Sequence, residues 1–173
     1  METKPFNAKM GLSMEADRTY RVYSRGHEFY LIRIGGQEMG QTVGMAVAHQ
    51  FGLIGALIYG LLKKKDEPKK DDMIQTLDAQ DPAMHLDKHK HNFKFSPAEV
   101  KESSLEPPAF FAGHGPEVGR WLVELRDGKK MTFHFEATEY MRTAAAALPQ
   151  VLGPLLTVNV EWSEENGKFV KRR

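Results

Sequence analysis

Hydrophobic and polar positions alternate in two neighbouring stretches near the start of the chain, which is the pattern of half-buried β-strands. The first covers residues 19–24 and the second residues 28–34, and a glycine-containing turn at 25–27 separates them. Two glycines then end the second strand. The pattern predicts a β-hairpin, preceded by a flexible lead-in over residues 1–18.

The alternation returns in the second half of the chain. Residues 91–95 and 100–105 predict two short strands. A stronger signal comes from the stretches 120–126 and 129–135, because the Asp-Gly pair between them is typical of tight hairpin turns. This hairpin is the clearest local prediction in the chain.

The hydrophobic period then lengthens to that of a helix. Over residues 136–152 apolar side chains fall at helical spacing, and four consecutive alanines favour a helix. Gly153-Pro154 is a stop signal, and residues 155–162 predict a last strand. A polar tail with a basic end follows over residues 163–173.

One long segment between the two β-rich parts carries no charge. From Met39 to Leu62 there is no Asp, Glu, Lys or Arg. A helix of this length, at about 1.5 Å per residue, reaches roughly 36 Å and exceeds a bilayer core of about 30 Å. His49 and Gln50 lie near its middle, where polar groups need partners in hydrocarbon. We predict a helix over residues 39–65, followed by a charged linker over residues 66–84.

Small residues recur at every fourth position of this segment, a pattern called a glycine zipper. On a helix they form one strip along which another helix can approach closely. The strip consists of Gly40, Gly44, Ala48, Gly52, Ala56 and Gly60. The alternative is a buried helix packed tightly against a sheet.

Basic and aromatic side chains near this segment and elsewhere indicate contacts with a membrane or a partner. Basic side chains near anionic headgroups each contribute about 1 kcal/mol to binding. The candidates for headgroup contacts are Arg25, Lys63, Lys64, Lys65, Lys171, Arg172 and Arg173. Phe110 and Phe111, in a loop flanked by proline and glycine, are a candidate wedge for a membrane or partner, although burial at one end of the sheet is the alternative.

Composition narrows the functional classes. The chain has 173 residues, 41% of them hydrophobic and 27% charged, which is typical of a soluble globular protein of one domain. Twenty-four Lys and Arg balance 23 Asp and Glu, so the basic footprint of a nucleic-acid-binding protein is missing. The absence of cysteine excludes disulfides, thiolate catalysis and Cys-ligated metals.

Three histidines form the only candidate metal group that the spacing offers. His85, His89 and His91 follow a His-x3-His-x-His pattern. The first two face the same way only on a helix, and the last two only on a strand. The pattern is therefore weak evidence for a metal site, and we expect no cofactor. Sequence motifs for phosphate-binding loops, serine hydrolases and zinc proteases are missing.

The second half of the chain resembles pleckstrin-homology-like domains of the bacterial type. The resemblance lies in Ser-Pro-Ala-Glu-Val-Lys at residues 96–101 and in the run from Trp121 to Phe135, followed by an amphipathic helix. It covers residues 19–34 and 89–152. It implies a curved, partly closed barrel capped by a helix, used to bind lipids, peptides or proteins. Residues 29–33 lack the Arg-x-Arg that phosphoinositide-binding members carry.

Together these patterns predict an α+β fold. We expect a partly closed antiparallel β-barrel or sheet of about six or seven strands, capped by the C-terminal helix, with the apolar helix inserted after the first hairpin. Residues 19–162 then form one domain. Because the strands before and after the insertion must pair, a single membrane crossing would separate them. The helix therefore dips into one leaflet, packs on the protein, or assembles with copies of itself.

The function predicted from the sequence is a non-enzymatic binding or scaffold module, cytoplasmic and membrane-associated. Its expected partners are copies of itself, an anionic membrane surface or another protein, and not nucleic acid. Two alternatives stay open. One is a membrane-active, pore-forming protein whose zipper helices oligomerise, and the other is a metal-dependent hydrolase that uses the three histidines.

Overall fold

The first hairpin of the chain is extended by a strand that precedes it. The computed structural model describes residues 3–12, 15–36, 70–109 and 117–172. In it, β1 (Phe6–Leu12) pairs antiparallel with β2 (Glu15–Arg25), and β2 pairs with β3 (Glu28–Gly36). The prediction of a flexible lead-in is wrong for β1 and for the start of β2. Gly26 and His27 adopt positive φ angles of 61° and 77° in the turn between β2 and β3.

The second half supplies the remaining described elements, and its hairpin and helix lie where the sequence predicted them. The hairpin lies within residues 119–135, and the helix covers residues 138–152. The elements are α1 (Lys70–Asp78), a 3-10 helix (Pro82–Lys88), β4 (Phe93–Phe95), β5 (Val100–Glu106), β6 (Gly119–Leu125), β7 (Lys130–Phe135), α2 (Thr138–Leu152), β8 (Leu156–Val158), β9 (Val160–Ser163) and β10 (Lys168–Lys171). α1 occupies part of the segment that was predicted to be a charged linker.

The strands form an open mixed sheet rather than the predicted partly closed antiparallel barrel or sheet of about six or seven strands. Eight strands lie in the order β4-β3-β2-β1-β7-β6-β5-β8, and β9 and β10 form a separate two-stranded sheet. β8 runs parallel to β5, while the other neighbours are antiparallel. Parallel neighbours need a long connection, and α2 lies within it. In the described part of the chain the sheet does not close, since β4 and β8 remain its two edges, so the predicted fold class is wrong.

The predicted apolar helix and most of its flanks lie outside the described residues. Among the helices that the structure describes, none has the length and apolar character needed to span a bilayer. The longest of them, α2, has 15 residues.

The inner face of the sheet holds the main core, and α2 covers it. Inward residues of β6 and β7 alternate strictly with outward ones, as the sequence predicted. Trp121 is fully buried; its indole N–H donates to Ser103 Oγ at 2.8 Å, and its ring stacks on Phe133 with centroids 4.9 Å apart. A Cβ on Gly119 would come within 2.8 Å of Met141 Cε, so glycine permits the close approach of β6 to α2.

The outer face is covered over β2 and β3 by α1 and the 3-10 helix. A second apolar cluster fills this contact, and it consists of Tyr23, Tyr30, Ile32, Ile34 and Leu77, with Met73, Ile74 and Leu86 partly buried around it. Arg21 on β2 fastens the end of α1, because its guanidinium donates to both carboxylate oxygens of Asp78 at 2.6 and 3.1 Å. Tyr23 donates to the same carboxylate at 2.8 Å.

Burial and the contacts between these groups shift the pKa values of both Asp78 and Tyr23. Burial alone would raise the pKa of Asp78, but the hydrogen bonds from Arg21 and Tyr23 outweigh it, and the pKa lies below its ordinary value. Burial, and then the carboxylate of Asp78, raises the pKa of the Tyr23 hydroxyl. Asp78 is therefore ionised and Tyr23 protonated at neutral pH, which preserves the contact.

Candidate functional site

Several of the predicted site residues lie outside the described part of the chain. These are the small-residue strip, the basic cluster at residues 63–65, Phe110, Phe111 and Arg173. Their assignment as packing, headgroup or wedge residues stays a prediction.

The described candidates for headgroup contacts belong to two different sheets. Arg25 lies at the end of β2, in the eight-stranded sheet, and its Nη1 is 3.3 Å from Asp81 Oδ1. Lys171 ends β10 in the two-stranded sheet, and the backbone N–H of Arg172 donates to the carbonyl of Asn159. The side chain of Arg25 therefore already faces an acidic group of the protein.

The side chain of His85 is buried, and its backbone helps to hold the 3-10 helix on the sheet. It lies in the 3-10 helix with 6% of its surface exposed, and its Nε2 is buried without a hydrogen-bond partner among the described residues. Burial, and to a smaller extent Lys88, lowers the pKa of this imidazole. Its backbone carbonyl accepts from Asn92 Nδ2 at 2.6 Å, and Asn92 Oδ1 accepts from the N–H of Arg33 on β3. These two hydrogen bonds of Asn92 fix the 3-10 helix to the sheet.

His89 and His91 lie together, but they do not share a metal position with His85. Nε2 of His89 is 2.8 Å from Nη1 of Arg33, and its Nδ1 is 3.1 Å from the N–H of His91. Both ring nitrogens of His89 thus face N–H groups of the protein. Burial, and then the positive charge of Arg18, lowers the pKa of His91. Among the described residues no group of three possible metal ligands exists.

A polar cavity that the sequence did not indicate opens where β1 and β7 part. Among the described residues, the ladder between the two strands joins Lys9 to His134 and Met10 to Phe133, and Asn7 and Ala8 are not part of it. The resulting cavity has a volume of about 270 Å³. Its polar lining consists of Asn7, Lys9, Thr19, His134, Glu136 and Tyr140.

A buried carboxylate orients the histidine of this cavity. The Glu117 side chain is 9% exposed, and its Oε2 lies 3.2 Å from Nδ1 of His134. Its Oε1 accepts from the N–H of Ala109 at 3.2 Å and lies 3.4 Å from Nε of Arg120. These contacts fix Glu117, so the proton of the neutral imidazole belongs on Nδ1 and leaves Nε2 as an acceptor. A histidine held in this way is suited to hydrogen bonding or to proton transfer.

An ion pair lies at the rim of the same cavity. Lys9 Nζ is 3.2 Å from Glu136 Oε1, with the lysine side chain 23% and the glutamate 50% exposed. Lys9 fell in the predicted lead-in and Glu136 at the start of the predicted helix, so neither was singled out from the sequence as a site residue. The outward position of His134 in its strand was the one available signal. The pairing of β1 with β7 brings the residues together.

Comparison of the chain with protein-family models, with curated proteins and with solved structures finds no match.

Proposed function

We propose that the chain is a non-enzymatic binding and scaffold module that associates with membranes or with copies of itself through residues 39–62. The observation that carries the proposal is the position of the two flanks of this segment. Gly36 ends β3 before it, and α1 begins at Lys70 after it and packs against β3. The chain thus leaves the sheet and returns to the same place on it.

The contacts at both flanks are part of one folded body. Before the segment, Gly36 pairs with Arg18 on β2. After it, Leu77 of α1 is buried in one cluster with Ile32 and Ile34 of β3, and β4 pairs with β3. Strands that hydrogen-bond to one another must lie on the same side of a membrane.

Chain length also argues against a simple crossing. The return from Leu62 to Lys70 has only residues 63–69, six of which are charged. Fully extended, seven residues reach about 25 Å, less than a hydrocarbon core of about 30 Å. Charged side chains are in addition costly at its centre. A re-entrant contact with one leaflet and assembly through the small-residue strip both satisfy this geometry.

A relationship to pleckstrin-homology-like domains is part of the proposal. Its support is local: the hairpin β6–β7 is followed directly by α2, over the stretch that carries the resemblance. A role in binding lipids, peptides or proteins fits this relationship, in an open mixed sheet rather than a barrel.

Membrane fractionation and a pair of substitutions at Gly52 test the proposal. For the full chain we expect retention in membranes after carbonate extraction, or oligomers by sedimentation velocity. Gly52→Leu places a bulky side chain in the strip and should abolish assembly, whereas Gly52→Ala keeps the strip at methyl size and should assemble. Binding to phosphatidylcholine–phosphatidylserine vesicles that survives in Gly52→Leu indicates insertion of the apolar side instead.

Three results would overturn it. A chain that is wholly released by carbonate, monomeric, and inert toward these vesicles has neither form of the proposed function. Dye release from the vesicles identifies the pore-forming alternative. Stoichiometric metal that is lost in His89→Ala identifies the hydrolase alternative.

A further inference from the structure

The cavity between β1 and β7 has a built interior, not only an irregular surface. Asn7, on its wall, is 6% exposed, and its Oδ1 accepts from Nη1 of Arg21 at 3.0 Å. Arg21 is itself held by Asp78. Glu117 holds His134, which also lines the cavity. Two walls of the cavity are thus fixed by side chains that are nearly buried, so a ligand meets groups already in position.

Opposite charges lie side by side at the cavity. Lys9 contributes an ammonium group and Glu136 a carboxylate, 3.2 Å apart. A ligand of either single charge would gain from one of these groups and be repelled by the other. A molecule that carries both charges can pair with both. In an α-amino acid the ammonium and the carboxylate are separated by a single carbon atom, which matches two protein groups at this distance.

The remaining polar groups complement such a ligand. Nε2 of His134 is an acceptor for an ammonium N–H, because Glu117 places the ring proton on Nδ1. Thr19, Tyr140 and Asn7 also line the cavity, and their hydroxyl and amide groups are of the kinds that donate hydrogen bonds to a carboxylate. The volume of about 270 Å³ is sufficient for a small molecule such as an amino acid with a short side chain.

We propose that this cavity binds a small zwitterionic α-amino acid, with its carboxylate on Lys9 and its ammonium on Glu136 and His134. The described residues that line this site lie outside residues 39–62, so the proposal goes beyond the proposed function and can fail without it.

Titration of the full chain by two-dimensional NMR tests the proposal. The probes are glycine, L-alanine and L-serine, with propionate and ethylamine as molecules that carry only one of the two charges. We expect at least one amino acid to bind with a millimolar dissociation constant and to shift the amides of Lys9 and His134. Propionate and ethylamine should bind at least about tenfold more weakly, since each lacks one charged partner.

Substitutions locate the binding. Glu136→Gln and Lys9→Met should each weaken it about tenfold or more, because each removes one charge of the pair. Glu102→Gln, on β5 and outside the cavity, is the matched control and should bind as the native chain does. The proposal is overturned if propionate or ethylamine binds as tightly as the amino acids, or if Glu136→Gln binds the amino acids as the native chain does. It is also overturned if none of the three amino acids shifts the amide signals.

Discussion

The two faces of the sheet are stabilised by different means. On the inner face, aromatic and aliphatic side chains pack around Trp121 under α2, and the burial of apolar area contributes most of the stability. On the outer face, α1 is fastened to β2 by a small apolar cluster and by Arg21, Asp78 and Tyr23. Apolar packing is distributed over many contacts, whereas the outer contact depends on a few directional ones. α1, which follows the segment proposed to bind membranes or copies of the chain, packs on the outer face.

The largest effect should come from the inner face. Trp121→Ala removes a fully buried indole that packs on Phe133 and Phe29, and we expect a loss of about 3–5 kcal/mol in the free energy of unfolding. Ser103 keeps its bond to the carbonyl of Leu122, so no new unpaired hydroxyl arises. Urea unfolding followed by circular dichroism measures the change. Leu122→Ala, the next residue but on the outer face, is the control, and an equal loss there would contradict the contrast between the faces.

A smaller effect is expected from the outer polar contact. Asp78→Ala leaves the guanidinium of Arg21, whose side chain is 10% exposed, without its carboxylate, and we expect a loss of about 2 kcal/mol. Hydrogen exchange should rise in α1 before it rises in β6 and β7. The control is Asp72→Ala, an exposed acid on the same helix. If both substitutions destabilise the chain equally, Asp78 does not fasten α1.

The turn between β6 and β7 allows the effect of backbone conformation on stability to be measured apart from the effects of side-chain packing. Gly128 lies between β6 and β7 with a φ of 88°, which is unfavourable for a residue with a Cβ. Gly128→Ala should therefore cost about 1 kcal/mol, measured by urea unfolding. At Gly35, which has no positive φ, an added Cβ would meet Thr19 at an ordinary 3.8 Å, so Gly35→Ala is the control. A neutral result at Gly128 would show that the turn adapts.

The smallest effect should be a dependence on pH at the outer face. His85 is buried and neutral in the folded chain with a lowered pKa, so the unfolded chain binds the proton more readily. The contribution of neutral His85 to the free energy of unfolding is complete above the pKa of a histidine in the unfolded chain, about 6.5. It is lost as the pH falls below that value. The urea midpoint should decrease between about pH 7.5 and about pH 5, and less so in His85→Leu. His91, whose pKa is also lowered, adds a change of the same sign in both proteins. An identical decrease in both would exclude His85 as its source.

Local patterns predicted much of the secondary structure, and the reason is visible in particular elements. The Asp-Gly turn and the alternation on either side fixed the hairpin of β6 and β7, and the alanine-rich helical period located α2. β1 was missed because its few alternating residues carry no turn signal of their own, and it is a strand through pairing on both sides. His85, His89 and His91 are close together in the sequence. In the fold, the ring of His89 faces Arg33 of β3, and among the described residues the three histidines form no metal-binding group.

What the sequence determined by itself is local: the periods of hydrophobic residues, the turn chemistry, the uncharged segment with its spaced small residues, and the absence of cysteine. Only the tertiary structure decided that β1 lies between β2 and β7, that β8 runs parallel to β5, and that Lys9 meets Glu136 beside His134. The physical reason is that strand pairing over long sequence separations depends on which edges meet when the core forms. No local pattern encodes that choice, and the cavity at the β1–β7 junction exists only because of it.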